Sequence, residues 1–289
     1  MLEPFEFSFM IRAMIAATLI GALTGAIGVF IVLRRLSYIG HGLAHSIFGG
    51  AVVSFVAGFN FYIGATLWGI LSAFLINVAA RKRQIGSDAA VGIITTSAFA
   101  VGVALISRHG SFTRDFEAAL FGEILGISLG DLYVIVGVSL MVALMLFIWW
   151  KQLLFVTFDR DVAGAFGISV GWVDVVFSLI LAAVVIASLQ VLGVTLIAAA
   201  LVIPAVTARL LTDSFPRLFF LSMIIGSCSG FFGVYISWFI NVSSGATVVL
   251  TQALIFILAL ALATSRQRWK SSRAQDIERA SELERSAFE

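Results

Sequence analysis

The chain has 289 residues, of which 61% are hydrophobic and 12% charged, with a formal net charge of +2 and a mean hydropathy of +1.08. So much apolar surface excludes a soluble domain and describes a polytopic membrane protein. One cysteine, Cys228, in an apolar stretch excludes a disulfide framework and a cysteine metal cluster.

Taken in order, the chain is a series of uncharged runs, each about 20 residues long or a multiple of it, enough to cross roughly 30 Å of hydrocarbon. Glu3 and Glu6 stand where a cleavable signal needs basic residues, and the run 13–33 is too long and apolar for a signal core, so a retained first span is expected there. The run 36–80 contains two spans, broken near Gly58-Phe59-Asn60-Phe61. A fourth lies in 89–107 and a fifth in 132–150, while 175–208 splits near Gln190–Gly193 and 218–265 splits near Asn241–Gly245. The expectation is an all-α, polytopic integral membrane protein of about nine transmembrane helices (8–10), with a membrane domain over 1–265 and a cytoplasmic charged tail over 266–289.

Two stretches do not span. Residues 116–130 are apolar but short and contain Glu117 and Glu123, which predicts a re-entrant or interfacial helix. Residues 151–171 predict a short amphipathic helix over about 157–168, with Asp159 as its N-cap and Phe158, Val162, Ala165 and Phe166 as an apolar stripe. Such a helix can rest at the headgroups or serve as a handle for a partner.

Orientation follows from the basic residues, because short loops rich in Lys and Arg stay cytoplasmic. With nine alternating spans, all 18 basic residues except Arg12, Arg108 and Arg114 fall on one side, including Arg34, Arg35, Arg81, Lys82, Arg83 and the tail. The N-terminus is therefore expected outside and the C-terminus in the cytoplasm.

Within the second span, His41 and His45 lie four apart in a run without Lys, Arg, Asp or Glu. On a helix this spacing brings both imidazoles to one face, about 40° apart around the axis, the geometry for gripping one metal ion. A single histidine in an apolar segment is ordinarily a hydrogen-bonded packing residue, but two on one face at membrane depth point to a ligand or permeation role. Gly40, Gly42, Ala44, Ser46, Gly49 and Gly50 around them are expected to leave the rings unshielded and to let other helices approach. The third histidine, His109, falls in an outer loop.

Other chemistry is absent. No lysine follows a glycine, so a phosphate-binding loop is excluded. Gly42 stands where the general base of an HExxH metalloprotease would be, three histidines are too few for a di-iron oxygenase, and Gly226-Ser227-Cys228-Ser229-Gly230 reads as a helix-packing cluster rather than a nucleophile elbow.

The segment LRRLSYIGHGLAHSIFGG resembles the second-span element of the permease subunits of bacterial ABC importers for zinc, manganese and iron. GSDAAVGIITTSAFAVGVALIS, ALFGEILGISLGDL, FDRDVAGAFGI, ASLQVLGVTLIAAALVIPAVTARLL and GVYISWFINVSSGATVVL are similar to further parts of that family, in the same order over 9–265. The resemblance implies a type II ABC importer-like permease in the bacterial inner membrane that works as a homodimer. Its partners would be a cytoplasmic ABC ATPase and an extracellular or periplasmic metal-binding protein, with membrane lipid around it and no nucleic acid. No cofactor is expected beyond the transported divalent ion, Zn²⁺ or Mn²⁺. His41 and His45 would be the metal ligands, and Phe158, Asp159, Asp161, Ala165, Phe166 and Gly167 would couple the permease to the ATPase. The chain departs from the family at His41, where Asp is usual, at Gly49, where Pro is common, and at Asn241, where an acid is frequent. Loss of the carboxylate favours zinc over manganese, since imidazole suits Zn²⁺ and carboxylate suits Mn²⁺. A metal-ion secondary transporter would need acids deep in a span, and a channel would need a filter or charged ring, neither of which is visible.

Overall fold

The computed structural model describes residues 3–58, 60–80, 87–109, 120, 122 and 124–286, with the backbone alone described at 37–39, 41, 55, 61, 77, 80, 87, 88, 106, 109 and 266–286. Among the described residues the chain is helical throughout: α1 Ser8–Leu33, α2 Ser37–Val56, α3 Phe61–Ala80, α4 Ser87–His109, α5 Leu129–Phe158, α6 Arg160–Ala165, α7 Val170–Leu211, α8 Phe215–Ile240 and α9 Ser244–Ser286. Five helices are long and apolar enough to cross a membrane (α1, α5, α7, α8 and the part of α9 from Ser244 to Ser265), and shorter apolar helices lie within α2, α3 and α4. α9 runs unbroken past 265 to Ser286.

The long α7 is two helices. Gly193, at φ 72° and ψ 161°, interrupts it in a conformation that only glycine adopts readily. Contacts show that the chain reverses there. Asp174 pairs with Arg34 at the end of α1, while Leu201 packs on Gly28, less than two turns back along that helix. A straight helix from Asp174 to Leu201 would be about 40 Å long and could not meet both. The sequence break at 190–193 is thus a hairpin tip. Its counterpart at 241–245 is the left-handed Asn241 that ends α8, and the break near Gly58 is the turn between α2 and α3.

α1 and α7 form the buried centre. In hydrocarbon, helices gain little by hiding apolar surface from lipid, so association depends on close backbone packing. α1 provides it with Gly21, Gly25 and Gly28: the first two face Gly226 and the Ser222 carbonyl of α8, and Ser222 Oγ donates to Gly25 O at 2.7 Å. The small-residue cluster at 226–230 is this packing seam, with Gly230 against Ala17. Outward faces carry Leu67, Phe74, Leu140, Phe147, Phe220, Leu250 and Leu254, all more than half exposed. Hydroxyls inside the helices back-bond to the preceding turn, as Thr24, Ser188, Thr207 and Ser229 do, which satisfies them without water.

The two ends of the bundle are each tied by a polar cluster. At one end Arg34 joins α1, α5 and α7. At the other, the Tyr62 hydroxyl of α3 lies 2.7 Å from Asp131 Oδ1 on α5 and 2.8 Å from the Gln190 side-chain amide on α7. Asp131 also forms the capping box of α5 with Ser128, whose backbone N–H and hydroxyl donate to it at 3.1 and 2.6 Å. Beside this cluster the described part of the 116–130 segment packs on the α7 tip: Thr195 Oγ1 donates to Leu120 O at 2.8 Å, and Ile124, in a 3-10 turn, is buried. Residues 116–119, 121 and 123, with Glu117 and Glu123, lie outside the described residues, so the expected interfacial helix is not placed.

Candidate functional site

α2 starts at the Arg34 end and carries His41 in its second turn and His45 one turn further. For His41 the helix position is described; its side chain lies outside the described residues. His45 is partly buried and turns its ring to Phe99 of α4, with centroids 4.9 Å apart and planes at 79°. The glycines around the pair are filled by neighbouring helices rather than open. Gly42 faces Val91 and Thr95 of α4, Gly49 the backbone of Ala98, Gly40 Leu201 of α7, and Gly50 Trp68 of α3. This corrects half of the expectation: the small residues do admit other helices, but by doing so they enclose His45 instead of leaving it bare. Ser46 of α2 and Ser72 of α3, both fully or nearly buried, share a hydrogen bond one residue from His45.

Two imidazoles on one face of a helix offer neutral nitrogen donors, a set that suits late first-row divalent ions. No cluster of three or more His, Cys, Asp or Glu occurs among the described residues. Asn241 is the left-handed cap of α8 and lines a cleft of about 340 Å³ with Met10, Leu125, Ser237, Trp238 and Val242. Asn241 therefore sits at a helix corner, where asparagine tolerates φ > 0.

The second predicted region is built as a separate short helix. α5 runs on to Phe158, so α6 is shorter than the expected 157–168: nothing breaks α5 until Asp159, whose extended backbone (φ −150°, ψ 105°) ends one helix and starts the next. Asp159 Oδ1 accepts from the N–H groups of Asp161 and Val162 at 3.1 and 2.9 Å, the predicted N-cap. The C-terminus closes as a Schellman turn, with Ile168 N–H donating to Ala163 O, Gly167 N–H to Gly164 O, and Gly167 at φ 80°. Phe158, Asp161, Val162, Ala165 and Phe166 are all exposed, Phe166 by 76%, and Ala163 is the residue buried against the bundle. The stripe seen in the sequence thus faces outward. The Phe158 ring meets Phe215 edge-on and the Phe166 ring is tilted against Phe155, with centroids 5.8 Å apart in each pair.

The sequence reading missed what holds α6 in place. Arg160 pairs with Asp174 at 2.6 Å, and Asp174 also pairs with Arg34 at 3.3 Å. Arg34, read only as a topology-setting charge, donates from Nε to Thr157 Oγ1 at 2.8 Å and from a terminal nitrogen to Leu153 O at 3.3 Å, and stacks 4.6 Å from the Phe177 ring centre. Burial pulls its pKa down to about 10, opposed by Asp174 and reinforced by Arg160. A lone acid in the first turns of an otherwise apolar helix, Asp174, was the available signal.

Comparison with known proteins gives a consistent picture. Residues 6–263 match the family described as "ABC 3 transport family". The chain is 34% identical over 276 residues to the "Manganese transport system membrane protein MntC" of Halalkalibacterium halodurans, with 94% of each chain covered. It is 36% identical over 265 residues to the "Manganese import system permease protein ScaB" of Streptococcus gordonii, with 92% of this chain and 95% of that one covered. Of solved structures, "PsaBC from Streptococcus pneumoniae in complex with Fab" is similar at a TM-score of 0.81 and 35% identity, over 89% of this chain and 92% of that one.

Proposed function

Because this chain belongs to the ABC 3 transport family and is an integral multi-pass protein of the bacterial plasma membrane, we propose that it is the membrane-spanning subunit of an ATP-driven importer of divalent transition-metal ions. The observation that carries the reading is α6. A chain without a phosphate-binding loop presents, at the end of its bundle, a doubly capped helix flanked by two exposed aromatic rings, an arrangement that suits docking on a separate ATPase. Phe158 and Phe166 are the knobs, Asp159 and Gly167 fix the two ends of the helix, and Asp161 and Ala165 lie on the exposed surface.

In this reading the Arg34 end, with Lys151 and Arg160, faces the cytoplasm, the Tyr62 end faces a metal-binding protein outside, and nine spans place the charged tail from 266 in the cytoplasm. Ions pass along His41 and His45, and because two imidazoles leave a divalent ion under-coordinated, a second copy across a homodimer interface completes the coordination. The relatives named for manganese support manganese as cargo, while His41 in place of a carboxylate supports zinc, which nitrogen donors hold more tightly. The permease is therefore read as passing first-row divalent ions in general, with zinc able to compete.

The test is uptake by vesicles containing this permease with its ATPase and binding protein. His41→Ala and His45→Ala should each abolish metal accumulation while the ATPase still copurifies. Putting Asp at Phe166 should release the ATPase. Uptake near the wild-type rate in both histidine variants would remove the metal assignment.

A further inference from the structure

We propose that Arg34 is the positioning residue that transmits movement of α6 to the helix bearing His41 and His45, with Asp174 as the link between them. The inference rests on the importer reading above and adds to it the route by which an event at the ATPase reaches the metal path.

The route is short. Arg160 is the first residue of α6, next to its N-cap, and its guanidinium contacts both oxygens of Asp174, at 2.6 and 3.3 Å. The same carboxylate takes Arg34 at 3.3 Å. Arg34 is not a surface charge: its side chain is 4% exposed, against 57% for Arg160. A cation that deep at a helix end is held only where its donors are satisfied, and here its contacts tie it to two other helices: Thr157 and Leu153 O on α5, Asp174 and Phe177 on α7. Two arginines on one carboxylate leave neither with a full counter-charge of its own. A shift of Arg160 with α6 therefore changes the hold on Arg34 directly.

The other side of Arg34 is stiff. It caps α1, and the turn behind it is a Schellman motif, with Leu36 N–H donating to Ile31 O at 2.9 Å and Arg35 N–H to Val32 O at 3.2 Å. Arg35 takes the left-handed conformation, φ 57°, usually left to glycine. α2 then begins at Ser37, so only Arg35 and Leu36 separate Arg34 from the helix carrying the histidines. There is no flexible linker to absorb a displacement of Arg34. It moves the base of α2, and His41 in the second turn moves with it.

The experiment uses the complete complex of permease, ATPase and metal-loaded binding protein in proteoliposomes. Arg34→Gln should leave ATPase copurification and the basal hydrolysis rate unchanged, yet lower metal uptake and the stimulation of hydrolysis by loaded binding protein at least tenfold. Arg34→Lys, which keeps the charge but not the fork, should recover part of both. Arg160→Gln, at an exposed site where folding is not at stake, should uncouple in the same direction but less, and the double variant should be no worse than Arg34→Gln alone. Uptake and stimulation at wild-type levels in both single variants would overturn the link. So would losses that simply track a lower melting temperature and less bound ATPase, with stimulation intact, because that is a structural salt bridge. A wild-type complex that accumulates no divalent metal would instead overturn the importer reading itself.

Discussion

Gly49→Ala probes how closely the position of His45 is tied to helix packing. Gly49 lies one turn beyond His45 on α2, and a methyl group there would stand 2.8 Å from the Ala98 carbonyl carbon of α4, with its oxygen nearer still. Ordinary carbon contacts need about 3.5–4.0 Å, so α4 must retreat by roughly 1 Å, and a backbone carbonyl cannot rotate aside. Overpacking of this kind costs about 1–3 kcal/mol, here near the upper limit, offset by about 1 kcal/mol of helix propensity gained over glycine. The net expectation is a destabilisation of about 2 kcal/mol. The same retreat opens the Gly42 contact with Val91 and Thr95, at 2.6 and 2.9 Å from a Cβ there, and draws Phe99 away from the His45 ring. Gly92→Ala, on the same α4 with nothing within 4 Å, is the control and should be neutral or stabilising by up to about 1 kcal/mol. Thermal unfolding in detergent and uptake per transporter are measured on both variants. If Gly49→Ala melts as high as Gly92→Ala and transports at the wild-type rate, the α2–α4 seam does not set the site.

Asp159→Ala removes acceptors for two N–H groups and should cost about 1 kcal/mol, concentrated in α6, so that pull-down of the ATPase weakens while the melting temperature of the bundle barely moves. Gly193→Ala forces a side chain into φ 72°, ψ 161°, a strain of about 1–3 kcal/mol at the α7 tip, and should lower the yield of folded protein on size-exclusion chromatography. His41→Asp supplies one anionic oxygen and should shift competitive uptake towards Mn²⁺ at the expense of Zn²⁺; an unchanged ratio would mean that selection occurs before the ion reaches the membrane. Tyr62→Phe deletes the hydroxyl shared by Asp131 and Gln190 and should destabilise by about 1 kcal/mol, measurable as a lower melting temperature.

Much of this protein was legible in one dimension because a membrane imposes one-dimensional rules. Spans must be apolar for about 20 residues and backbone groups must be satisfied within each helix, so helix positions and the breaks at Gly58, Gly193 and Asn241 follow from composition and from glycine and asparagine alone. The Asp159 cap is equally local: a short acid at that spacing finds the next N–H groups without outside help. What depends on distance along the chain was not legible. Whether Phe158 and Phe166 face the bundle or the solvent depends on where α6 is pinned, and it is pinned by the pair of Arg160 with Asp174 on the next long helix, leaving Ala163 as the buried contact. Whether the glycines around His45 make an opening or a seam depends on Phe99, Ala98 and Trp68 arriving from other helices. Periodicity assigns a residue to a face of its own helix, but only tertiary packing determines what that face meets, because in hydrocarbon the choice between lipid and a neighbouring helix rests on close contact rather than on polarity.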